Sequence, residues 1–232
     1  MLNATRFLVI DTETTGVDLI NDRVVEVAAV LVVGGRIVAA FTSYVNPQRS
    51  IPAGASSIHG LADKDVAEAP TWEELLPRLN TLASEADVLV AHNAPFDRAM
   101  LPGLVEMPWL DTLRLAQRDF PDLESHKNGA LRYALDLRCP EANGMPSHRA
   151  LSDAYVTARL LMRLVRDFPI EKSAVTLARE VQDPRVLTKP VWFGKHRGLG
   201  WSEVPKDYLK WIFGSSDFDE DVKHTARHWF GK

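Results

Sequence analysis

From Val24 to Val33 the chain reads VVEVAAVLVV, apolar but for Glu26, and two glycines separate it from Arg36–Val45, which contains Ile37, Val38, Phe41 and Tyr44. β-Branched side chains at this density favour extended backbone, and Gly34-Gly35 accepts the positive φ of a type I′ turn. The segment therefore predicts an antiparallel hairpin. Phe7-Leu8-Val9-Ile10 predicts a further buried strand over Arg6–Asp11. The longest unbroken apolar run, Val27–Val33, is far shorter than the ~20 residues needed to span a bilayer, so no membrane association is expected. The short Phe7–Ile10 patch, closed by Asp11, is not a secretory signal.

Helical patterns begin after Pro70. Thr71-Trp72-Glu73-Glu74 forms a capping box, and Trp72, Leu75, Leu76, Leu79, Leu82 and Ala83 share one face. Pro77 is expected to kink or split that helix. Asp87–Ala91 predicts another buried strand, and Pro95, as a first helical residue, starts a helix to about Leu101. Short helices are expected over Asp111–Arg118 and in Ala130–Leu137, then a long one over Arg149–Phe168 with Ala154, Ala158, Leu161 and Val165 aligned. Strands followed by mixed strands and helices give an α/β layer. Glu171–Gln182 predicts a connecting helix, and Asp183-Pro184 and Lys189-Pro190 mark a linker. The expected division is 5–168 as the main domain, 169–187 as connection and 188–232 as a small aromatic and basic module. That last stretch carries four of the six tryptophans, and eight Lys/Arg against six Asp/Glu.

Apolar residues make up 46% and charged residues 25%, enough for a core and incompatible with wholesale disorder. The net charge of −4 argues against binding nucleic acid by bulk electrostatics alone, but not against an enzyme that recruits cations. A single cysteine, Cys139, excludes an internal disulfide and fits a reducing cytoplasm.

Asp11 and Glu13 stand two apart on a strand, so both carboxylates leave the sheet on one side. Such a pair repels itself unless a cation intervenes, and magnesium or manganese takes carboxylate oxygens while keeping waters for a substrate. Asp97 falls in the first turn of a helix, where it either supports a metal or steadies the helix dipole. His148 precedes Asp153 by five residues, about 140° apart were both helical. Pro146-Ser147 therefore ends a loop and leaves His148 before the helix, a placement that suits a base more than a ligand. Each feature alone has a plain structural alternative: a strand-end turn, a helix start, a solvent-facing histidine. Glu26 reads as a polar strand residue and Gly16 as the former of a turn.

Together these points have a familiar order. Phe7–Gly16 (FLVIDTETTG), Leu89–Asp97 (LVAHNAPFD) and His148–Tyr155 (HRALSDAY) resemble the three motifs of the DnaQ-like, DEDDh exonucleases, over roughly residues 5–168. The resemblance implies an RNase H-like mixed sheet flanked by helices, and 3′→5′ phosphodiester hydrolysis with two divalent cations, Mg²⁺ or Mn²⁺. It implies that Asp11, Glu13, Asp97 and Asp153 hold the ions and that His148 removes a proton. DNA 3′ ends, single-stranded or duplex, are the implied partner, in repair or mismatch excision. An exoribonuclease and a polymerase-associated proofreading subunit are the rivals. Ile58-His59-Gly60-Leu61 resembles a substrate-side turn of the family, which makes His59 a candidate contact beside Thr14, Asn93 and Phe96. For Asn93, capping its helix is the favoured alternative. The tail, with FGKHRG at 193–198 and YLKWIF at 208–213, resembles the C-terminal module of a free-standing bacterial member, and Lys195 and Arg197 are its candidate DNA contacts.

Overall fold

The computed structural model describes residues 4–168 and 173–232 and divides into two compact units, one reaching Asp119 and resuming over Leu123–Val181, the other formed by Phe120–Asp122 and Gln182–Lys232. Glu171 and Lys172 of the expected connecting helix lie outside the described residues.

The larger unit opens with β1 (Arg6–Thr14), β2 (Val24–Val33) and β3 (Arg36–Tyr44) as an antiparallel series. The turn between β2 and β3 has φ of 58° at Gly34 and 69° at Gly35, as the hairpin reading requires. Next come α1 (Ala53–His59), α2 (Asp63–Val66) and α3 (Trp72–Ser84). Pro77 does not split α3: it removes one backbone donor, while Leu75, Leu79 and Ala83 stay buried along the inner face and Thr71 caps the start reciprocally with Glu74.

β4 (Val88–Ala91), α4 (Ala94–Met100), β5 (Trp109–Asp111), α5 (Thr112–Asp119), α6 (Asn128–Ala134), α7 (Ala150–Asp167) and α8 (Ala174–Glu180) complete the unit. β4 joins β1 in parallel and β5 joins β4 in parallel, giving the order β3-β2-β1-β4-β5. This is the expected mixed sheet flanked by helices. Two expectations shift: the segment from Asp111 opens with a strand residue, and the helix expected through Leu137 ends at Ala134.

β2 is buried along nearly its whole length, so it needs cover on both faces. On one face Leu8, Ile10, Val27, Ala29, Leu31 and Leu89 meet Leu75, Leu79 and Ala83 of α3. α7 packs on β1 and β2, and strand alternation assigns it the other face. The smaller unit packs α9 (Lys206–Gly214) on α10 (Glu220–Phe230) around Val191, Trp201, Leu209, Ile212 and Val222.

Candidate active site

β1 runs three residues past the expected end, so Asp11 and Glu13 lie within a paired strand. Asp11 faces Ala28 and Glu13 faces Glu26 across the ladder. Their side chains alternate with Ile10 and Thr12 and emerge on the α7 side. Thr12 points the other way, and its hydroxyl donates to Asp97 Oδ1 at 2.8 Å, tying α4 to the strand. Asp97 is 4% exposed. Its helix starts at Ala94 with Pro95 second, one residue earlier than the sequence suggested. Asn93 occupies the cap position with φ 79° but makes no side-chain cap. Instead its backbone N–H donates to Asp111 Oδ1 at 3.1 Å, an atom that also accepts from Leu113 N at 2.9 Å. Asp111, buried at the end of β5, thus holds two chain reversals in place.

His148 sits in the turn before α7, exposed, with φ 56°. Ligand atoms of Glu13, His148 and Asp153 all lie within 4.8 Å of one another. The turn is held by Glu26, which sequence reasoning set aside as a polar strand residue. Arg149 donates to both Glu26 oxygens, Nε at 3.0 Å and Nη2 at 2.8 Å, and Ala150 N donates to Oε2 at 3.0 Å. Arg149 Nη2 also donates to the Tyr44 hydroxyl at 2.7 Å. Glu26 therefore caps α7 from the neighbouring strand, where Arg149 itself supplies no side-chain cap. The signal in the sequence was a lone acid inside an otherwise apolar strand, with nothing local to name its partner. Removing it leaves an arginine only partly open to water without its carboxylate. Glu26→Ala is expected to cost about 3 kcal/mol in denaturant unfolding; a loss below about 1 kcal/mol would mark the pair as solvent-screened.

Burial raises the carboxyl of Asp11 well above the usual range, and Asp97, Asp153, Glu13 and Glu26 push it further. Glu13 is raised to about 8 by burial and then by Asp153, Glu26 and Asp97. Asp97 is raised to about 7 by burial, against the hydrogen bond from Thr12. Burial raises Asp153 as well, opposed by His148. Arg149, which draws Glu13 downward, is committed to Glu26. Hard oxygen donors so crowded, and so reluctant to ionise together, are the donor set that suits a divalent cation.

Carboxyls raised in the folded state keep protons that the unfolded chain releases above about pH 4, so their contribution is complete below that value. It fades as pH rises through the folded values, about 7 for Asp97 and about 8 for Glu13. In EDTA the melting temperature should fall between about pH 5 and pH 8, and Mn²⁺ should flatten the fall. Identical profiles with and without metal would contradict the clustering.

His59 ends α1, is 5% exposed, and accepts from Leu61 N on Nδ1 at 3.1 Å. Its Nε2 is buried without a well-formed hydrogen bond. Burial lowers its pKa, and Glu26, Arg149 and His148 all act on it, which sets it electrostatically beside the site. The Thr14 hydroxyl donates to the Gly16 carbonyl at 2.5 Å and so serves the turn. A Cβ on Gly16 would lie 2.2 Å from Asp22 Oδ2, so a side chain there would displace the carboxylate that accepts from Thr15 Oγ1 and Asp18 N. Phe96 is partly buried against the core, while Asn93 is exposed. Lys195 and Arg197 are exposed on the smaller unit.

Comparison with known proteins agrees with this arrangement. The family model described as "Exonuclease" matches residues 8–161. Exodeoxyribonuclease 10 of Escherichia coli K12 is 34% identical over 229 residues, which is 95% of this chain and 97% of that protein. A DNA polymerase III subunit epsilon-like protein of Rhodobacter capsulatus is 40% identical over 71% of this chain but only 24% of its own length. Among solved structures, exonuclease X in complex with 5′ overhanging duplex DNA superposes with a TM-score of 0.66 at 35% identity, over 75% of this chain and 99% of that one. The matched region holds the mixed sheet, the acidic strand and the histidine turn, and the chain belongs to the exonuclease family.

Proposed function

We propose that this chain is a 3′→5′ exodeoxyribonuclease that releases nucleotides from DNA 3′ ends, single-stranded or duplex, in repair or mismatch excision. The observation that carries the reading is the grouping of the carboxyls: Asp97 and Asp153 both raise Asp11 and Glu13, and Glu13, Asp153 and His148 offer ligand atoms within 4.8 Å of one another. These four would hold two divalent cations, Mg²⁺ or Mn²⁺. When bound, such ions stabilise the entering and leaving oxygens of an in-line displacement and make water a stronger acid. His148 accepts the proton of the attacking water from its exposed turn, and Glu26 with Arg149 keeps that turn in place. His59, Asn93 and Phe96 face the terminal nucleotide. Thr14 acts through the turn its hydroxyl closes. Residues 5–168 form the catalytic domain, 169–187 the connection, and 188–232 an accessory module in which Lys195 and Arg197 meet phosphate.

Likeness along 95% of the chain to an exodeoxyribonuclease, tail included, favours this over a proofreading subunit, since the polymerase-related match stops at 71%. No helix among the described residues is long and apolar enough to cross a membrane. The single buried thiol of Cys139 supports a cytoplasmic setting. Labelled single-stranded DNA, duplex DNA and RNA offered in parallel test the proposal. Stepwise release from DNA that needs Mg²⁺ or Mn²⁺ and stops with EDTA is expected. Trimming that persists in chelator, or acts on RNA and spares DNA, would overturn it.

A further inference from the structure

The aromatic side chains of the smaller unit are not all core. Trp201 is 3% exposed and its Nε1 donates to the Lys189 carbonyl at 3.0 Å, but Trp192 is 41% and Trp211 52% exposed. These two exposed indoles end up on one continuous run of rings. Trp192 meets Phe193 at 5.4 Å, Phe193 meets Phe218 at 4.8 Å, and Phe218 meets Trp211 at 5.4 Å. Trp211 then lies 5.0 Å from Tyr208 at a tilt of 31°, and Tyr208 meets His196 at 4.6 Å. Tyr208 and Trp211 stand three apart on α9, whose Leu209 and Ile212 turn inward to the core. The 193–198 loop is seated against the same ring: Gly194 has φ 60°, and a Cβ there would lie 2.1 Å from the Tyr208 hydroxyl.

The cations of this unit divide by location. Arg185 pairs with Asp221, and Lys223 and Arg227 pair with Glu220. Beside the rings the pattern differs: Lys189 Nζ lies 4.2 Å from the centre of the Trp192 ring and Lys195 Nζ 5.2 Å from that of Tyr208. Lys195 and Arg197 are exposed, and Glu203, one of the two acids between Lys189 and Lys210, is turned back onto Gly200 N at 2.9 Å. Half-open indoles interleaved with cations that pair with no carboxylate among the described residues call for a ligand with flat apolar faces on an anionic backbone. A single-stranded nucleic acid has both.

We propose that this unit binds single-stranded nucleic acid by stacking bases on Trp211 and Trp192, with Lys189, Lys195 and Arg197 at the phosphates. The proposal rests on the reading that the substrate is a nucleic acid. It adds a second binding surface, separate from the carboxylate cluster, that reads ring faces and not sequence or sugar.

The test uses the full chain with Asp11→Asn, in EDTA to prevent turnover. An end-labelled oligothymidylate and an abasic oligonucleotide of equal length are titrated by anisotropy. The oligothymidylate should bind with quenching of tryptophan fluorescence, and the abasic strand should bind much more weakly. Trp211→Ala should weaken oligothymidylate binding roughly 5- to 100-fold while leaving abasic binding unchanged, and Trp211→Phe should restore most of it. Lys195→Gln should weaken both strands and lower the salt slope by about 1. Unchanged affinity in Trp211→Ala, or a loss shared equally by the abasic strand, would overturn the stacking platform. So would a loss that accompanies a change in oligomeric state, because a second copy of the chain would then be what covers Trp211. The parent protein, assayed beside these for metal-dependent hydrolysis of DNA, separates the two readings: hydrolysis without stacking removes only this surface, and absent hydrolysis removes the catalytic proposal.

Discussion

Asp11→Asn is expected to lower nucleotide release on the order of 10³-fold or more while leaving the fold intact or firmer. The carboxyl of Asp11 is raised by burial and by Asp97, Asp153, Glu13 and Glu26. Asparagine keeps the shape and removes the charge, so it relieves the repulsion that a cation would otherwise relieve. The variant should therefore melt higher than the parent in EDTA at a pH high enough to ionise the cluster, and gain less from Mn²⁺. Activity and melting temperature should move in opposite directions. Near-normal hydrolysis would deny Asp11 a central place, and a lower melting temperature would mean that its charge is satisfied by the protein itself.

His148→Ala is expected to reduce the rate ~10²–10⁴-fold with metal affinity largely kept. The geometry permits a rival role, because His148 lies within 4.8 Å of ligand atoms of Glu13 and Asp153. Its backbone also matters: at φ 56° an alanine is strained where glycine is not. Comparing His148→Ala with His148→Gly removes that ambiguity. Equal losses in both, with Mn²⁺ affinity near that of the parent, fit a proton acceptor. A rate restored by glycine would reduce His148 to a turn former, and a parallel collapse of metal affinity would make it a ligand.

What could be read without coordinates was local. The hairpin around Gly34-Gly35, the shared face of Asp11 and Glu13 and the long helix carrying Asp153 follow from periods of two and 3.6 and from turn chemistry, and the fold has them. The omissions are of two kinds. β5 and α2 have three and four residues, too few to display a period, and β5 exists because β4 pairs with it. Glu26 and Asp111 act on partners that no local spacing reveals: Glu26 reaches across 123 positions to Arg149 and Asp111 across 18 to Asn93. Asn93 is the instructive reversal. Its residue type predicts a side-chain cap, yet the structure uses its tolerance of left-handed backbone and lets a distant carboxylate take the N–H. Residue chemistry marked the acids as candidates and the order of the motifs joined them; the turn that carries His148 depends on contacts that only the folded chain supplies.

The most direct measurement is an anomalous difference map from a crystal soaked in Mn²⁺. Two peaks within coordinating distance of Asp11, Glu13, Asp97 and Asp153, with His148 outside the ligand set, are the predicted result. Carboxyls that stay metal-free in such a crystal would contradict the account at its centre.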